Sequence, residues 1–388
     1  LFMDEWKEYK LGEVCDVRDG THDSPKECSY GKPLVTSKNI KNGRIDLVNT
    51  YLISDKDYDS VNRRSKVDVW DVLFSMIGTV GECAIVKDTV SFAIKNVGLF
   101  KTGGNELLAK WIYYYFQSNS AKTEIDAKIK GSTQQYIALG DLRSFPILFP
   151  SIEIQRYIIG ILECIDDKID LLHQENKTLE AMAETLFRKW FIEEVRQDVL
   201  LGNVVETTSG GTPSRKNEKY YQNGTIDWVK SKELNRSFLL KTEEKITVEA
   251  VENSSAKFLP ANSVLIAMYG ATVGEYAIIT KEMTCNQAVC ALKPNDNYPY
   301  TYLYLWAKFM QDEFLNLACG AAQQNISQVL IKQQQVCSDV DAVKQFHSIV
   351  EPFFEKLKQN EMQLSSLEEM KHVILPKLMN NELNINEL

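Results

Sequence analysis

Hydrophobic residues recur with a period of seven in two segments of the chain, residues 158–190 and 346–378. Each segment holds five heptads whose first and fourth positions, a and d, are mostly apolar, which is typical of coiled-coil helices. Neither segment has another obvious partner, so we expect the two helices to pack on each other; the alternative is two independent helices, each packed on its own domain. The a and d positions are Ile158, Leu162, Ile165, Ile169, Leu172, Asn176, Leu179, Ala183, Leu186 and Trp190 in the first segment, and Phe346, Val350, Phe353, Leu357, Asn360, Leu364, Leu367, Lys371, Ile374 and Leu378 in the second.

Each predicted seam contains one asparagine, Asn176 or Asn360. If the helices run antiparallel about a pseudo-twofold axis, both asparagines fall in the same central layer. A buried polar pair of this kind fixes the register of a helix pair at some cost in stability. We therefore expect the two amides to be hydrogen-bonded to each other. Pro352 is a candidate kink near the start of the second helix, and Pro376 is its expected end.

The pattern outside the helices is that of short strands and turns. Apolar runs at Val72–Ile77 and Val264–Met268 lead into glycine turns and a further apolar run, which predicts hairpins or bulges. Aromatic clusters at Trp111–Phe116 and Tyr302–Trp306 are expected to lie in helices and to pack in the core instead of stacking on bases. The predicted fold class is therefore mixed, strand-rich α/β, joined to the antiparallel coiled coil.

These motifs occur twice in the same order. Leu11-Gly12 returns as Leu201-Gly202, and the Gly-Thr of Gly20-Thr21 returns as Gly211-Thr212. The glycine turn that begins at Gly78 returns at Gly270 with one extra residue, an offset of 192, and the Gly-x-x-Gln-Gln segment of Gly131 returns at Gly320, an offset of 189. Because this period is far longer than that of a solenoid, we interpret it as a duplicated domain with an internal pseudo-twofold repeat. We divide the chain into head 1 (residues 1–150), a first spacer helix (151–196), head 2 (197–338) and a second helix (339–388).

The charge follows the same four-part division. Residues 1–150 and 196–338 are each neutral, whereas residues 151–195 carry a net charge of −5 and residues 339–388 carry −4, which together give the total of −9. A hydrophobic fraction of 44% with 25% charged residues is ordinary for a globular protein. No apolar run approaches the ~18 residues of a membrane span, and no leader pattern is present. With eight cysteines in no C-x-x-C pair, we expect reduced thiols, no metal site and a cytoplasmic protein.

No catalytic motif is present. Gly210-Gly211-Thr212 lacks the spacing and the lysine of a phosphate-binding loop, and no G-x-G-x-x-G opens a helix. The four histidines are scattered, and three of them lie on the predicted long helices. We therefore expect a chain that is not an enzyme.

The loops that remain are polar and, in part, duplicated. Lys, Arg, Asn, Gln, Ser and Thr are the side chains that bind phosphates and base edges, so we predict DNA contacts from these loops. The alternative is that the charged residues are solvated surface and the glutamines cap backbone groups. The predicted contacts are Thr21, Ser37, Lys38, Asn39, Arg63, Arg64, Lys130 and Gln134 in head 1, and Thr212, Arg215, Lys230, Lys232 and Gln323 in head 2.

Over essentially its whole length the chain resembles the specificity subunit of a type I restriction-modification system. The resemblance is carried by the opening Trp-x-x-x-x-Leu-Gly (Trp6 to Gly12), the Gly-Thr loops, the Gly-Ser-Thr-Gln-Gln segment and the glutamines that precede the long helices, Gln155 and Gln345. It implies two target-recognition domains, each reading one half of a bipartite, non-palindromic DNA target. The unread spacer between the halves would be set by the coiled coil, about 33 residues or ~50 Å long at ~1.5 Å per residue.

The resemblance also implies partners. Two methyltransferase subunits would dock on the helical regions, and restriction-translocase subunits would join the complex. AdoMet and ATP would be bound by those partners, so that this chain would bind no cofactor of its own. Two alternatives remain open from the sequence: the recognition part of a combined restriction-modification enzyme, and a two-headed adaptor that binds protein or glycan ligands on a coiled-coil spacer.

Overall fold

The computed structural model describes residues 6–194, 197–235, 237–319 and 325–380. The chain forms two compact units, unit 1 (residues 1–168 and 368–388) and unit 2 (residues 169–367). Both boundaries fall within long helices, the first long helix (Ile152–Arg188) and the second long helix (Val340–Met379). Each unit therefore contains one head together with one end of both long helices.

Head 1 is built on two small sheets. The larger is antiparallel, and a strand pair closes the head where the chain enters and leaves it. In spatial order the strands are Asp16–Asp19, Val97–Lys101, Val72–Ser75 and Cys83–Ile85; then Tyr51–Ile53, Lys32–Val35 and Ala93–Ile94; the closing pair is Lys7–Lys10 with Pro146–Phe149, and Ile40–Lys41 pairs with Arg44–Ile45. The helices are Leu11–Val14, Asp55–Ser65, Glu106–Gln117, Asn119–Lys128 and Leu139–Arg143, with a 3-10 turn at Ser37–Asn39.

Head 2 repeats the two sheets and the closing strand pair of head 1, and adds one parallel edge strand to the larger sheet. The order is Glu206–Ser209, Val289–Lys293, Val264–Ala267, Tyr276–Ile279 and Phe238–Leu239; then Lys245–Ile246, Ile226–Val229 and Thr284–Cys285; the closing pair is Asp198–Leu200 with Gln335–Cys337. The helices are Leu201–Val204, Val248–Glu252, Tyr300–Phe309, Gln311–Cys319 and Gln328–Lys332, with 3-10 turns at Glu218–Tyr220, Ser231–Glu233 and Gly270–Thr272. The predicted internal repeat is confirmed.

The aromatic helices pack as core elements in both heads, as predicted. Trp111 and Trp306 are almost fully buried. Their indole N–H groups make the same hydrogen bond to the closing strand pair, Trp111 to the Leu148 carbonyl at 2.8 Å and Trp306 to the Gln335 carbonyl at 2.9 Å. A buried indole needs such an acceptor. These rings therefore position the helix against the strand that leads into each long helix, and they are not available to stack on bases.

The core of each head is completed by both long helices. In unit 1 the buried cluster includes Ile158, Ile159 and Leu162 from the first long helix, together with Leu375, Leu378 and Met379 from the second. In unit 2 it includes Ala183 and Phe187 from the first long helix, together with Phe346, Val350, Phe354 and Leu357 from the second. The predicted seam positions are thus buried or half-buried along both helices, and the helices pack on the heads as well as on each other.

The two helices run antiparallel. Within unit 2, Phe187 packs edge-on against Phe346 with ring centroids 5.7 Å apart, while Asn176 meets Asn360. Residue numbers therefore rise along one helix as they fall along the other. This is the predicted orientation.

The two seam asparagines form the hydrogen bond expected of them. Asn360 Nδ2 donates to Asn176 Oδ1 at 2.8 Å and to Glu175 Oε2 at 2.9 Å, and Asn176 Nδ2 donates to Glu361 Oε1 at 3.0 Å. Asn176, Asn360 and Glu361 are all buried. Because a register shift would leave these groups without partners inside an apolar seam, the layer favours a single alignment of the helices.

Lys371, which interrupts the apolar seam of the second long helix, has a partner within unit 1. Its Nζ donates to Asp166 Oδ1 at 2.6 Å and lies 5.6 Å from the centre of the Tyr114 ring. The Tyr114 hydroxyl also donates to Asp166, at 3.0 Å. The charge is therefore paired, and the seam tolerates it.

The predicted end of the second long helix at Pro376 is wrong, because the helix continues to Met379. Pro352 also lies within it. An interior proline costs about 3 kcal/mol because it removes one backbone hydrogen bond and crowds the preceding turn. The last turn buries Leu375, Leu378 and Met379 in the head 1 core, and each such side chain contributes about 1.5–3 kcal/mol on burial. Burial therefore outweighs the proline.

The central polar layer gives a stability prediction. Asn360→Leu should destabilise the chain by about 1–3 kcal/mol, because the buried Asn176 oxygen loses its donor. Urea unfolding followed by circular dichroism measures this. Ser366→Ala on the same helix is the matched control, since Ser366 is exposed and bonds only the Met362 carbonyl. An Asn360→Leu variant no less stable than the control would show that the layer has no role in stability.

Candidate nucleic-acid interface

The structure joins several of the predicted head 1 residues in one hydrogen-bonded network. Asp19, whose side chain is 7% exposed, accepts from Arg64 Nη2 at 2.7 Å and lies 3.0 Å from His22 Nε2. His22 Nδ1 lies 2.9 Å from Asn96 Oδ1. The Ser37 hydroxyl donates to the Asn96 carbonyl at 3.1 Å. Four loop segments that are distant in sequence are therefore held side by side.

The glycine turn after Val72–Ser75 extends this surface. The Ile77 N–H donates to the Ser37 hydroxyl at 3.4 Å, and Ile77 forms a β-bridge with Tyr136. The Gly78 N–H donates to the Gln135 carbonyl at 2.9 Å, which brings the loop containing Gln134 against the turn. Gln134 is exposed on this loop.

The head 1 cations differ in their availability. Lys38 and Arg63 are exposed and, within the part of the chain that the structure describes, have neither an ion pair nor a hydrogen bond. Arg64 is engaged with Asp19, although two thirds of its side chain remains exposed. Lys130 pairs with Asp141 at 2.6 Å. Lys38 and Arg63 are therefore the cations of the predicted set that can reach a phosphate without breaking a contact.

Asn39 and Ser37 make hydrogen bonds within the fold, and their contact with DNA stays a prediction. Asn39 is buried; its Oδ1 accepts from the Thr36 N–H and hydroxyl, and its Nδ2 donates to the Asn49 carbonyl. Ser37 is buried as well. Thr21 is half-buried, with its hydroxyl accepting from the Asp23 N–H at 3.1 Å. These side chains hold the turns that carry the exposed residues.

Three predicted cations of head 2 converge on two carboxylates. Arg215 forms a bidentate pair with Glu244, and Lys230 Nζ lies 3.2 Å from the same carboxylate. Lys232 Nζ lies 2.6 Å from Glu243 Oε2. The hydrogen bond from Arg215 lowers the pKa of Glu244, and the hydrogen bond from Lys232 lowers the pKa of Glu243. Both carboxylates therefore stay ionised at neutral pH and offset two of the three positive charges.

Arg215 is also held by aromatic rings. Its guanidinium lies 4.1 Å from the centre of the Tyr221 ring and 5.1 Å from that of Trp228. Stacking of this kind restricts a long side chain to one position. Arg215 is thus fixed at the surface while about half of its side chain stays exposed.

Lys38 and Lys232 occupy the same position of the same turn in the two heads. In head 1 the Asn39 side chain accepts from the Thr36 N–H at 2.9 Å, and in head 2 the Glu233 side chain accepts from the Lys230 N–H at 2.8 Å. The backbone is repeated, but the lysine is unpaired in head 1 and paired with a carboxylate in head 2. The ion pair between Lys232 and Glu243 could not be predicted from the sequence of the turn alone.

Thr212 and Gln323 complete the predicted set. Thr212 is exposed and donates its hydroxyl to Gln287 Oε1. Gln323 lies outside the described residues. His22, Asn96 and Gln287 were not among the predicted residues, because none of them lies in a recognisable motif. Their equivalent positions in the two heads are visible only from the repeated backbone.

Other site classes are not indicated in the described ranges. No group of three His, Cys, Asp or Glu side chains there is arranged to hold a metal ion, and no helix there is both long and apolar enough to cross a membrane. Burial raises the pKa of the Cys285 and Cys290 thiols to about 12. These thiols therefore stay protonated at neutral pH and are poor nucleophiles.

A sequence model of the type I restriction modification DNA specificity domain matches residues 3–181 and 194–337, so that it covers each head. The chain belongs to this family. The two matches correspond to the two copies of the structural repeat.

Two of the curated relatives align along almost the whole chain, and a third aligns with about half of it. The type I restriction enzyme MjaIX specificity subunit of Methanocaldococcus jannaschii is 24% identical over 420 residues, covering 99% of this chain and 95% of that protein. The HindI specificity subunit of Haemophilus influenzae is 21% identical over 466 residues, covering 98% and 100%. The EcoR124I/EcoR124II specificity subunit of Escherichia coli is 30% identical over 220 residues, about half of each chain.

The fold is also shared with a solved specificity subunit. The S subunit of a type I restriction-modification system from M. genitalium superposes with a TM-score of 0.61 at 16% identity, covering 97% of this chain and 96% of that one. At this identity the likeness concerns the fold. It agrees with two mixed α/β heads and paired long helices.

Proposed function

We propose that this chain is the DNA-recognition subunit of a type I restriction-modification complex, in which each head reads one half of a bipartite, non-palindromic target. The observation that carries the proposal is the duplicated backbone with diverged loops. The two heads repeat their strands and turns, yet the side chains at equivalent positions of one shared turn differ: Thr36 corresponds to Lys230, and Asn39 corresponds to Glu233. The repeated backbone supports the same task, DNA binding, in both heads. The different side chains support the recognition of two different half-sites.

The long helices support the second part of the proposal, that they set the spacer and dock methyltransferase subunits. Their segments carry net charges of −5 and −4, which repel DNA phosphates and favour contact with protein. They also leave large apolar side chains exposed to solvent. Exposed apolar residues on an acidic helix pair fit a protein partner. These residues are Leu171, Met182, Met362, Met370 and Val373.

We propose two methyltransferase subunits because the internal repeat offers two equivalent helix ends, and restriction subunits in the complete complex. The chain itself would be non-catalytic and bind no cofactor. This is supported by the absence from the sequence of phosphate-loop, dinucleotide and methyltransferase motifs. AdoMet and ATP would then be bound by the partner subunits.

The proposed function is tested by selection from random-sequence duplex DNA. The full chain, in complex with its methyltransferase partner, should enrich two short specific sequences separated by an unspecified spacer of constant length. The two half-sites should not be inverted copies of one another, because the loops of the two heads differ. Methylation of the enriched site by the complex provides a second readout. A pool with no enriched bipartite sequence would contradict the proposal.

The different surroundings of Lys38 and Lys232 predict different effects on affinity. Lys38→Ala should weaken DNA binding and reduce the slope of log affinity against log salt by about 1, as expected for one lost phosphate contact. Lys232→Ala should change the slope less, because Glu243 already neutralises Lys232. Titrations of the complex at several salt concentrations measure both. Equal slopes for Lys38→Ala and the wild type would assign Lys38 to solvent.

A further inference from the structure

In each head one glycine lies where the backbone of its loop passes close to the backbone of another strand, and we call this point the backbone crossing. A Cβ atom on Gly20 would lie 2.6 Å from the Ile94 carbonyl oxygen, and one on Gly210 would lie 1.9 Å from the Cys285 carbonyl oxygen. No side chain fits at such distances, so each position requires glycine. The next residue makes the same hydrogen bond in each head: the Thr21 N–H to Ile94 at 3.1 Å and the Gly211 N–H to Cys285 at 2.9 Å.

This crossing defines the structural register between the heads. With Gly20 equivalent to Gly210, the residue equivalent to His22 is Thr212. The strand pairing agrees, since Asp16–Asp19 and Glu206–Ser209 occupy the same edge of the larger sheet. Matching the Gly-Thr dipeptides instead places Thr212 opposite Thr21, one residue away.

In this register both heads place a polar side-chain pair at the same exposed point. In head 1, His22 contacts Asn96, whose backbone has a φ of 53°. In head 2, Thr212 donates to Gln287. Each pair joins the loop after the glycine crossing to the loop before the central strand, Val97–Lys101 or Val289–Lys293. The backbone geometry is shared, and the side chains are different.

These pairs are exposed and lie beside arginines. His22 has 65% of its side chain exposed, and Thr212 and Gln287 are exposed as well. Beside His22, Asp19 binds both the imidazole and Arg64. Arg215 follows Thr212 by three residues, and its position is fixed by stacking on Tyr221. A polar side-chain pair that is held in place by a hydrogen bond at the surface is suited to contact a base edge.

We propose that the two pairs read base edges: His22 with Asn96 in the half-site of head 1, and Thr212 with Gln287 in the half-site of head 2. The proposal rests on the proposed function, and it names the residues that make the half-sites different. Asn and Gln amides match the donor and acceptor atoms of adenine in the major groove, while His22 and Thr212 hold these amides through hydrogen bonds. The hydrogen bond within each pair holds the amide in place before DNA is bound.

Isosteric substitutions test the assignment with the smallest structural change. Asn96→Asp and Gln287→Glu each replace one amide NH₂ by oxygen, the first in a half-buried side chain and the second in an exposed one. A carboxylate accepts from the cytosine amino group and cannot donate to a base. Asn96→Asp should therefore change the preferred base at a position of one half-site, with relative affinities shifted about 5- to 150-fold. Gln287→Glu should do the same in the other half-site only.

The measurement is selection from random duplexes by the full chain with its methyltransferase partner. In each variant the unaltered half-site reports that the fold and the complex are intact. Asn105→Asp and Asn297→Asp are matched controls that add the same charge at exposed positions of head 1 and head 2. Both controls should leave the motif unchanged. If a negative charge abolishes binding, Asn96→Gly and Gln287→Ala give the same readout, and each should relax discrimination at one half-site.

Variants that retain both half-sites would overturn the assignment, whether or not their overall affinity falls. That result would give the pairs a structural or phosphate-binding role. Failure of the proposed function is a different outcome, because the wild-type complex itself would then enrich no bipartite sequence.

Discussion

The fold depends on the two long helices, because each of them contributes side chains to the cores of both heads. The core of head 1 includes Leu375, Leu378 and Met379 of the second long helix, which follows head 2 in the chain. The core of head 2 likewise includes Ala183 and Phe187 of the first long helix. At about 1.5–3 kcal/mol for each large side chain, this burial is comparable to the 5–15 kcal/mol that usually separates folded and unfolded states. Neither repeat therefore completes its core alone.

This dependence links stability to the proposed reading of DNA. The helix pair must keep one register for both cores to close, and the buried layer of Asn176, Asn360 and Glu361 penalises any other. Packing constrains the sequences of the helices and the head strands. Substitutions are therefore tolerated mainly in exposed loops that do not pack in a core. The loops after Gly20 and Gly210 are such places. Packing therefore preserves the backbone in both heads, whereas the side chains on these loops can differ from one head to the other.

Much of this arrangement follows from local sequence patterns. The heptads, the meeting of the two asparagines, the hairpin strands and the aromatic core helices depend on periodicity and were predictable. The end of the second long helix was not, because the burial of its last turn in head 1 outweighs Pro376. The partners of Lys230 and Lys232 also depend on tertiary structure, since Glu243 and Glu244 come from another segment. His22 was missed because the Gly-Thr motif places the repeats one residue out of their structural register.

We propose that the length of the helix pair sets the spacing between the two half-sites. The most direct test is the deletion of one heptad from each long helix at facing positions, leaving Asn176 and Asn360 in place. A heptad spans about 10 Å, or about 3 base pairs at ~3.4 Å each. Selection from random duplexes should then return both half-sites unchanged, with the spacer about 3 base pairs shorter. An unaltered spacer with intact half-sites would contradict the account.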